Sequence, residues 1–251
     1  MTGSHVLLDH ILLISMTLLW PIAEWRWYYP RSVRNIAAGL RGARARLYRN
    51  CIVPQWVFSA CVIALWARLA RPWSWLFLGP GIPLRLAVGF FPVALFLTFL
   101  GLQRRALLAR PERLNLVRRK LSIVDPLIPR TALEYRLMIL LSITAGVCEE
   151  LLYRGFVLWY FVSFWPSSRL GLIVAVVFSS ILFGFGHVYL GANQIKVSAI
   201  AGLVAALIVL AAGSLWPAII LHAVTDWNSF DLGYRTVLLN SDEGPSLLVP
   251  A

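Results

Sequence analysis

Charge is scarce in this sequence, and acidic charge is scarcest. Of its 251 residues only 14% are charged, with 11 acidic against 23 basic, whereas 59% are hydrophobic and the mean hydropathy is +0.75. A soluble domain of this length needs more charged residues to cover its surface. The composition therefore excludes an ordinary soluble fold and predicts an integral membrane protein.

Cysteine is also rare, and the start of the chain lacks a cleavable leader. The three cysteines, an odd number, lie in or beside apolar runs at Cys51, Cys61 and Cys148, which argues against a disulfide framework and favours buried thiols. Residues 1–5 lack the basic segment and the small-residue cleavage site of a signal peptide. We therefore expect the first apolar run to remain as a helix.

Long apolar runs predict an all-α bundle of about seven to eight membrane-spanning helices, since a span needs about 20 mostly apolar residues. Gly-Ser-Leu-Trp-Pro at 213–217 divides the last run into two helices, because proline and glycine interrupt a helix. The run 137–165 has a polar cluster at its centre, and it forms one span or, if it bends, two. The runs are 6–23, 52–67, 86–102, 137–165, 170–186 and 197–221.

Two segments account for the net positive charge. Segment 24–50 has seven arginines against Glu24, and segment 103–133 has eight basic residues against Glu112 and Asp125, so each carries a net charge of +6. Both lie on the same side of a helical hairpin, 52–102, as the positive-inside rule requires of cytoplasmic loops. We expect a multi-pass protein of a bacterial inner membrane, with anionic lipid beside the arginines and no nucleic-acid partner.

The first polar cluster within the apolar runs is Glu149, Glu150 and Arg154. Ionisable residues at bilayer depth are costly, so each is a candidate functional residue. Glu150 and Arg154 are four residues apart and share a helix face, where the arginine can hold Glu150 as a carboxylate. Glu149 is rotated about 100° away and can face a different cavity. The ion pair by itself is as readily structural as catalytic, but Glu149 is then left unexplained.

Two further clusters contain histidines. His187 follows an apolar run and two glycines, in Phe-Gly-Phe-Gly-His, and such a lone histidine is more often a packing residue than a catalyst. His222 and Asp226 are four residues apart, so Asp226 can orient the imidazole or accept its proton. A structural His–Asp pair explains this cluster equally well. Three clusters at bilayer depth in one chain instead favour a shared, water-accessible site.

The order and spacing of these residues resemble those of a known family. Glu-Glu-x-x-x-Arg at 149–154, Phe-x-x-x-His at 183–187 and His-x-x-x-Asp at 222–226 occur in that order. The chain resembles the CPBP family, also called Abi, which comprises type II CAAX prenyl proteases and bacteriocin-processing enzymes. The resemblance covers roughly residues 127–230. It implies an all-helical core and an intramembrane glutamic endopeptidase activity.

The resemblance also implies a role for each motif residue. Glu149 is expected to be the general base that activates water, with His187 as its partner. His222 and Asp226 are expected to stabilise the oxyanion, although an ionised aspartate cannot donate a hydrogen bond and must then be protonated or orient His222. Glu150 and Arg154 are expected to form the supporting ion pair.

Three regions and their partners follow from this interpretation. Residues 1–126 are expected to form N-terminal membrane helices with arginine-rich cytoplasmic loops, 127–232 the catalytic helical core, and 233–251 a polar tail. The expected partners are membrane lipid and a peptide or protein substrate, with or without a lipid anchor or a leader. No cofactor or metal is expected.

Alternatives remain at this point. Two histidines and a glutamate are a usable zinc set, so a zinc-dependent membrane protease on the same residues is the runner-up, although His-Glu-x-x-His does not occur. A cysteine protease based on Cys148 is disfavoured because that thiol lies mid-span. A transporter is disfavoured because the sequence has no inverted repeat. A non-catalytic membrane scaffold or immunity protein is the last alternative.

Overall fold

The computed structural model of the chain describes residues 5–79, 81–110 and 121–238, with 122 and 123 described by their backbone only. Helices make up 85% of the structure, and no strand occurs in these residues. The all-α prediction is confirmed. Within the described ranges there are seven long helices: α1 Leu7–Ala37, α2 Ala43–Arg68, α3 Pro83–Leu108, α4 132–162, α5 Arg169–Phe185, α6 Ala192–Ala212 and α7 Trp216–Leu238.

Four of the helices, α1, α2, α3 and α6, are long and apolar enough to cross a membrane, and α5 is a shorter apolar helix. The helices α4 and α7 carry five of the six residues of the predicted site, all but His187, and these ionisable residues lower the hydropathy of both helices. The total of seven to eight spans therefore stays a prediction.

Several helices extend beyond the apolar runs that predicted them. Helix α1 continues to Ala37, and α2 begins at Ala43, so most of the predicted loop 24–50 is helical. Helix α7 continues to Leu238, past the boundary predicted at residue 232. Hydropathy marks the segment that lipid can surround, whereas a helix ends where its backbone hydrogen bonds end. Residues 111–120 and 239–251 of the predicted loop and tail lie outside the described residues.

The polar ends of the bundle are tied by buried ion pairs. Near one end, Arg71 donates two hydrogen bonds to the buried carboxylate of Asp9, at 2.8 and 2.7 Å, and its guanidinium lies over Trp66 and Trp159. This pair joins the first turns of α1 to the connection between α2 and α3. It accounts for Asp9, the single charge in the first apolar run, because a buried carboxylate needs a partner.

Helix α4 is continuous, with its middle segment wound as a π-helix. It consists of Ala132–Thr144, the π-wound Ala145–Val157 and Leu158–Val162. The predicted option of two spans in 137–165 is therefore replaced by one long helix. π-Helical turns are frequent at functional sites, and this segment contains the Glu149–Arg154 motif.

Small residues allow α4 and α7 to approach closely. A Cβ atom at Gly146 would lie 2.9 Å from the backbone oxygen of Ile219 and 2.8 Å from the Cβ of Ala223, both in α7. Only glycine fits at this crossing, and close approach of backbones is a common way for membrane helices to associate. The contact lies one helical turn from Glu149 and therefore fixes the distance between the motifs on α4 and α7.

We expect Gly146→Ala to destabilise the protein by about 1–3 kcal/mol, because the added methyl must displace backbone atoms of α7. Gly101→Ala is the matched control, since no atom lies within 4 Å of a Cβ at that helical position. The control should be neutral or slightly stabilising. Unfolding of both variants in mixed micelles measures the difference, and equal stabilities would contradict the proposed close contact.

Candidate active site

The two adjacent glutamates of α4 face different surroundings. Arg154 Nη1 donates to Glu150 Oε1 at 3.0 Å, and both side chains are only 1% exposed. The guanidinium carbon of Arg154 lies 4.0 Å from the centre of the Phe183 ring. The predicted ion pair is present, and it is completely enclosed by protein. Glu149 points into a separate cavity with 17% of its side chain exposed.

His222 of α7 contacts both glutamates through its two ring nitrogens. Its Nδ1 lies 2.8 Å from Glu150 Oε1, so this nitrogen donates to the carboxylate. Its Nε2 lies 3.9 Å from Glu149 Oε2 and 3.7 Å from Asp226 Oδ2. Glu150 therefore fixes the orientation of the imidazole, whereas Asp226 lies beside the opposite nitrogen.

His187 follows α5 in the short turn that leads to α6. Its Nδ1 lies 3.0 Å from the backbone oxygen of Phe183, which can only accept, so Nδ1 carries the proton and Nε2 has a free lone pair. The Phe183 ring packs against both histidines, with its centre 5.0 Å from that of His187 and 5.9 Å from that of His222. One aromatic side chain thus supports both imidazoles.

Glu149 has one oxygen bound and one oxygen available. Gln55 Nε2, from α2, donates to Glu149 Oε1 at 3.1 Å. Glu149 Oε2 is buried and accepts no hydrogen bond from any residue in the described part of the chain. A carboxylate in this state can accept a hydrogen bond from a water or a substrate.

Two cavities meet at this polar cluster. The first, of about 350 Å³, is bordered by Glu24, Glu149 and Asp226, with aromatic and aliphatic side chains between them. The second, of about 510 Å³, lies between α3, α6 and α7 and is bordered by Glu150, Arg154 and His222 at one end. Its other end is apolar, with lining residues that include Pro92, Val93, Phe96, Val204 and Ile208. His187 and Asp226 border both cavities.

The structure therefore brings all six residues predicted for the site into one cluster, and it adds two that sequence reasoning missed. Gln55 lies in an uncharged run, and the sequence criterion for a site residue was a charged residue or a histidine within such a run. Glu24 was counted with the arginine-rich loop, but it borders the first cavity and lies 3.9 Å from the sulfur of Cys51. For Gln55 a signal existed, because a carboxamide within an apolar run needs a polar partner.

No group of three or more His, Cys, Asp or Glu side chains within the described ranges has a geometry that could hold a metal ion. The imidazole of His222 instead lies within 4 Å of three carboxylates, those of Glu149, Glu150 and Asp226.

The C-terminal part of the chain is similar to a known protein family. Residues 131–228 match the family model of the type II CAAX prenyl endopeptidase, Rce1-like. Searches of curated proteins and of solved structures gave no significant match. The matched segment contains Glu149, His187, His222 and Asp226, and the family is one of proteases. Together with four apolar helices of spanning length, the match indicates an integral membrane protein.

The match of residues 131–228 confirms the predicted resemblance of the chain to the CPBP family.

Proposed function

We propose that the protein is an intramembrane endopeptidase that hydrolyses a peptide bond with a water molecule activated by Glu149. The observation that best supports this is the state of the Glu149 carboxylate. One oxygen accepts from Gln55 Nε2, and the other is buried, accepts no hydrogen bond from the described residues and lies 3.9 Å from His222 Nε2. A general base needs such an oxygen within reach of the water that it deprotonates.

In the first step the water oxygen forms a bond to the carbonyl carbon of the substrate, and one water proton passes to Glu149 Oε2. His187, whose Nε2 has a free lone pair, borders the same cavity as Glu149 and is its polar partner there. The carbonyl oxygen becomes an oxyanion, to which the Nε2–H of a doubly protonated His222 donates. Three carboxylates around His222, those of Glu149, Glu150 and Asp226, favour this charged imidazolium.

In the second step the carbon–nitrogen bond breaks and the oxyanion collapses to a carboxylic acid. Glu149 returns its proton to the leaving amine, which restores the carboxylate. Glu150 and Arg154 take no part in proton transfer and hold His222 in place. Asp226 acts as a counter-charge beside His222 Nε2, because an ionised aspartate cannot donate to the oxyanion. No metal or other cofactor is part of this proposal.

The substrate we propose is a membrane-associated peptide or protein. The family that residues 131–228 match is named for prenylated CAAX substrates, and a substrate with a lipid anchor or an apolar leader suits a site that adjoins an apolar cavity. The arginine-rich segments would lie at the cytoplasmic face of a bacterial inner membrane, beside anionic lipid. The first cavity, which Leu121, Val124 and Leu127 of that side border, would then open to the cytoplasm.

The test uses the purified protein in liposomes with two quenched fluorogenic probes, a farnesylated peptide with a CAAX-type end and an unprenylated peptide with an apolar leader. We expect at least one probe to be cleaved, at a rate that prolonged treatment with a strong chelator leaves unchanged. Loss of cleavage on chelation and its return with zinc would favour the zinc protease. Cleavage of neither probe would favour the non-catalytic scaffold.

A further inference from the structure

Gln55 is outside the segment that matches the protease family, yet its side chain reaches the candidate base. It projects from the middle of α2 into the first cavity and donates from Nε2 to Glu149 Oε1 at 3.1 Å. A carboxylate can only accept hydrogen bonds, so the amide must present its NH₂ group to it, and the amide oxygen needs a different partner. Gln55 Oε1 is buried and has no hydrogen-bond partner among the described residues.

We propose that Gln55 is a positioning residue for the catalytic carboxylate, an inference that rests on the proposed peptidase function. A carboxylate in a cavity can rotate about its last bond, which changes the directions of both oxygens. The bond from Gln55 to Oε1 fixes the plane of the group, and Oε2 then lies 3.9 Å from His222 Nε2. A charge-assisted bond in a site of low dielectric is strong enough to hold the carboxylate in this plane.

Gln55 Oε1, which has no hydrogen-bond partner among the described residues, can accept a hydrogen bond from the nucleophilic water. A water has two protons, and the general base takes one of them. Gln55 Oε1 and Glu149 Oε2 are two buried, unfilled acceptors that belong to side chains bordering one cavity. A water that donates to both is held with a lone pair directed away from them, towards a substrate carbonyl. The amide thus orients both the base and the nucleophile.

A purely structural role for Gln55 would be to tie α2 to α4, and a neighbouring contact already does this. Trp56 Nε1 donates to Thr144 Oγ1 at 3.1 Å, so adjacent residues of α2 make hydrogen bonds of equal length to the same helix. Only the bond from Gln55 ends on an ionisable group in the site. Trp56→Phe is therefore a matched control that removes an interhelical hydrogen bond without touching Glu149.

The experiment measures kcat and KM for cleavage of the farnesylated peptide by wild type, Gln55→Met, Trp56→Phe, Glu149→Gln and the double variant Gln55→Met/Glu149→Gln. We expect Gln55→Met to lower kcat roughly 10- to 100-fold, the usual cost of losing a group that orients a reactive side chain, with KM little changed. Trp56→Phe should leave both constants close to those of wild type. The double variant should be no slower than Glu149→Gln, because Gln55 acts through Glu149.

Three outcomes would overturn the proposal. They are a wild-type kcat in Gln55→Met, an equal loss in Trp56→Phe, and an additive loss in the double variant. An inactive Glu149→Gln variant beside a fully active Gln55→Met variant would refute only the role of Gln55. No cleavage by wild type, or full activity of Glu149→Gln, would instead refute the proposed function and the role of Gln55 with it.

Discussion

Replacing Glu149 by glutamine is expected to lower kcat for peptide cleavage by about 10²- to 10⁴-fold, the range typical of a lost general base. The substitution keeps the volume of the side chain, and the new amide can still accept from Gln55 Nε2. What it removes is the basicity of the oxygen that faces His222. Because shape and packing are preserved, KM and the thermal stability should change little, and steady-state kinetics with the fluorogenic probes measures the difference.

Glu134→Gln is the control for this experiment. Glu134 lies in the first turn of the same helix, α4, and accepts from the backbone nitrogen of Arg130 at 2.8 Å. The substitution Glu134→Gln makes the same chemical change outside the polar cluster, so it should leave kcat unaltered. If Glu149→Gln retained more than a small fraction of the wild-type kcat, Glu149 would not be the base, and the histidines would have to activate the water in another way.

The parts of the site that sequence predicted are those set by spacing along one helix. Glu150 and Arg154 are four residues apart and do form an ion pair, and Glu149 does face another cavity. The contact between His222 and Glu150 joins α7 to α4. No spacing rule could give it, because it depends on how the helices cross at Gly146. For that reason Asp226 was a candidate to orient His222, a task that the structure gives to Glu150.

Polar residues of the N-terminal half were missed for a different reason. The motif set and the matched family cover only the C-terminal part of the chain, so neither directs attention to α1 or α2. Gln55 has no charge and cannot be recognised by a search for ionisable groups. Glu24 has a charge, but the seven arginines that follow it predicted a solvated loop for the whole segment 24–50. In the structure both side chains border the cavity that contains Glu149.

Hydropathy predicted where the helices lie along the chain, but it did not predict where they end. The apolar run 86–102 lies within α3, Pro83–Leu108, and the run 170–186 coincides closely with α5, Arg169–Phe185. In contrast, α7 extends to Leu238 because Asp231 in its last turns is buried and accepts from Arg104, Tyr135 and Arg235. Such a hydrogen-bond network stabilises a polar helical segment. It depends on contacts between helices that are far apart in the sequence, and a hydropathy average over consecutive residues does not include them.

Replacing Arg154 by methionine is expected to have the largest effect on stability. The side chain is fully enclosed, and methionine has a similar length but no charge to offer Glu150. The carboxylate is then buried without its main compensating cation, a change that typically costs about 3–5 kcal/mol. Among the residues that the structure describes, only His222 remains to partner Glu150. The free energy of unfolding in mixed micelles should fall by this amount, and cleavage should be lost as His222 shifts.

An exposed ion pair in the same protein gives the matched control. Arg130 Nη2 lies 2.6 Å from Asp125 Oδ1, with side chains that are 29% and 48% exposed. Because water screens this pair, Arg130→Met should cost less than about 1 kcal/mol. Adding Glu150→Gln to Arg154→Met should recover about 1–3 kcal/mol, since the two residues are directly coupled and the double variant leaves no unpaired charge. Equal costs for Arg154→Met and Arg130→Met would mean that Glu150 is not held as a carboxylate by its arginine, and the support proposed for His222 would then have to come from elsewhere in the cluster.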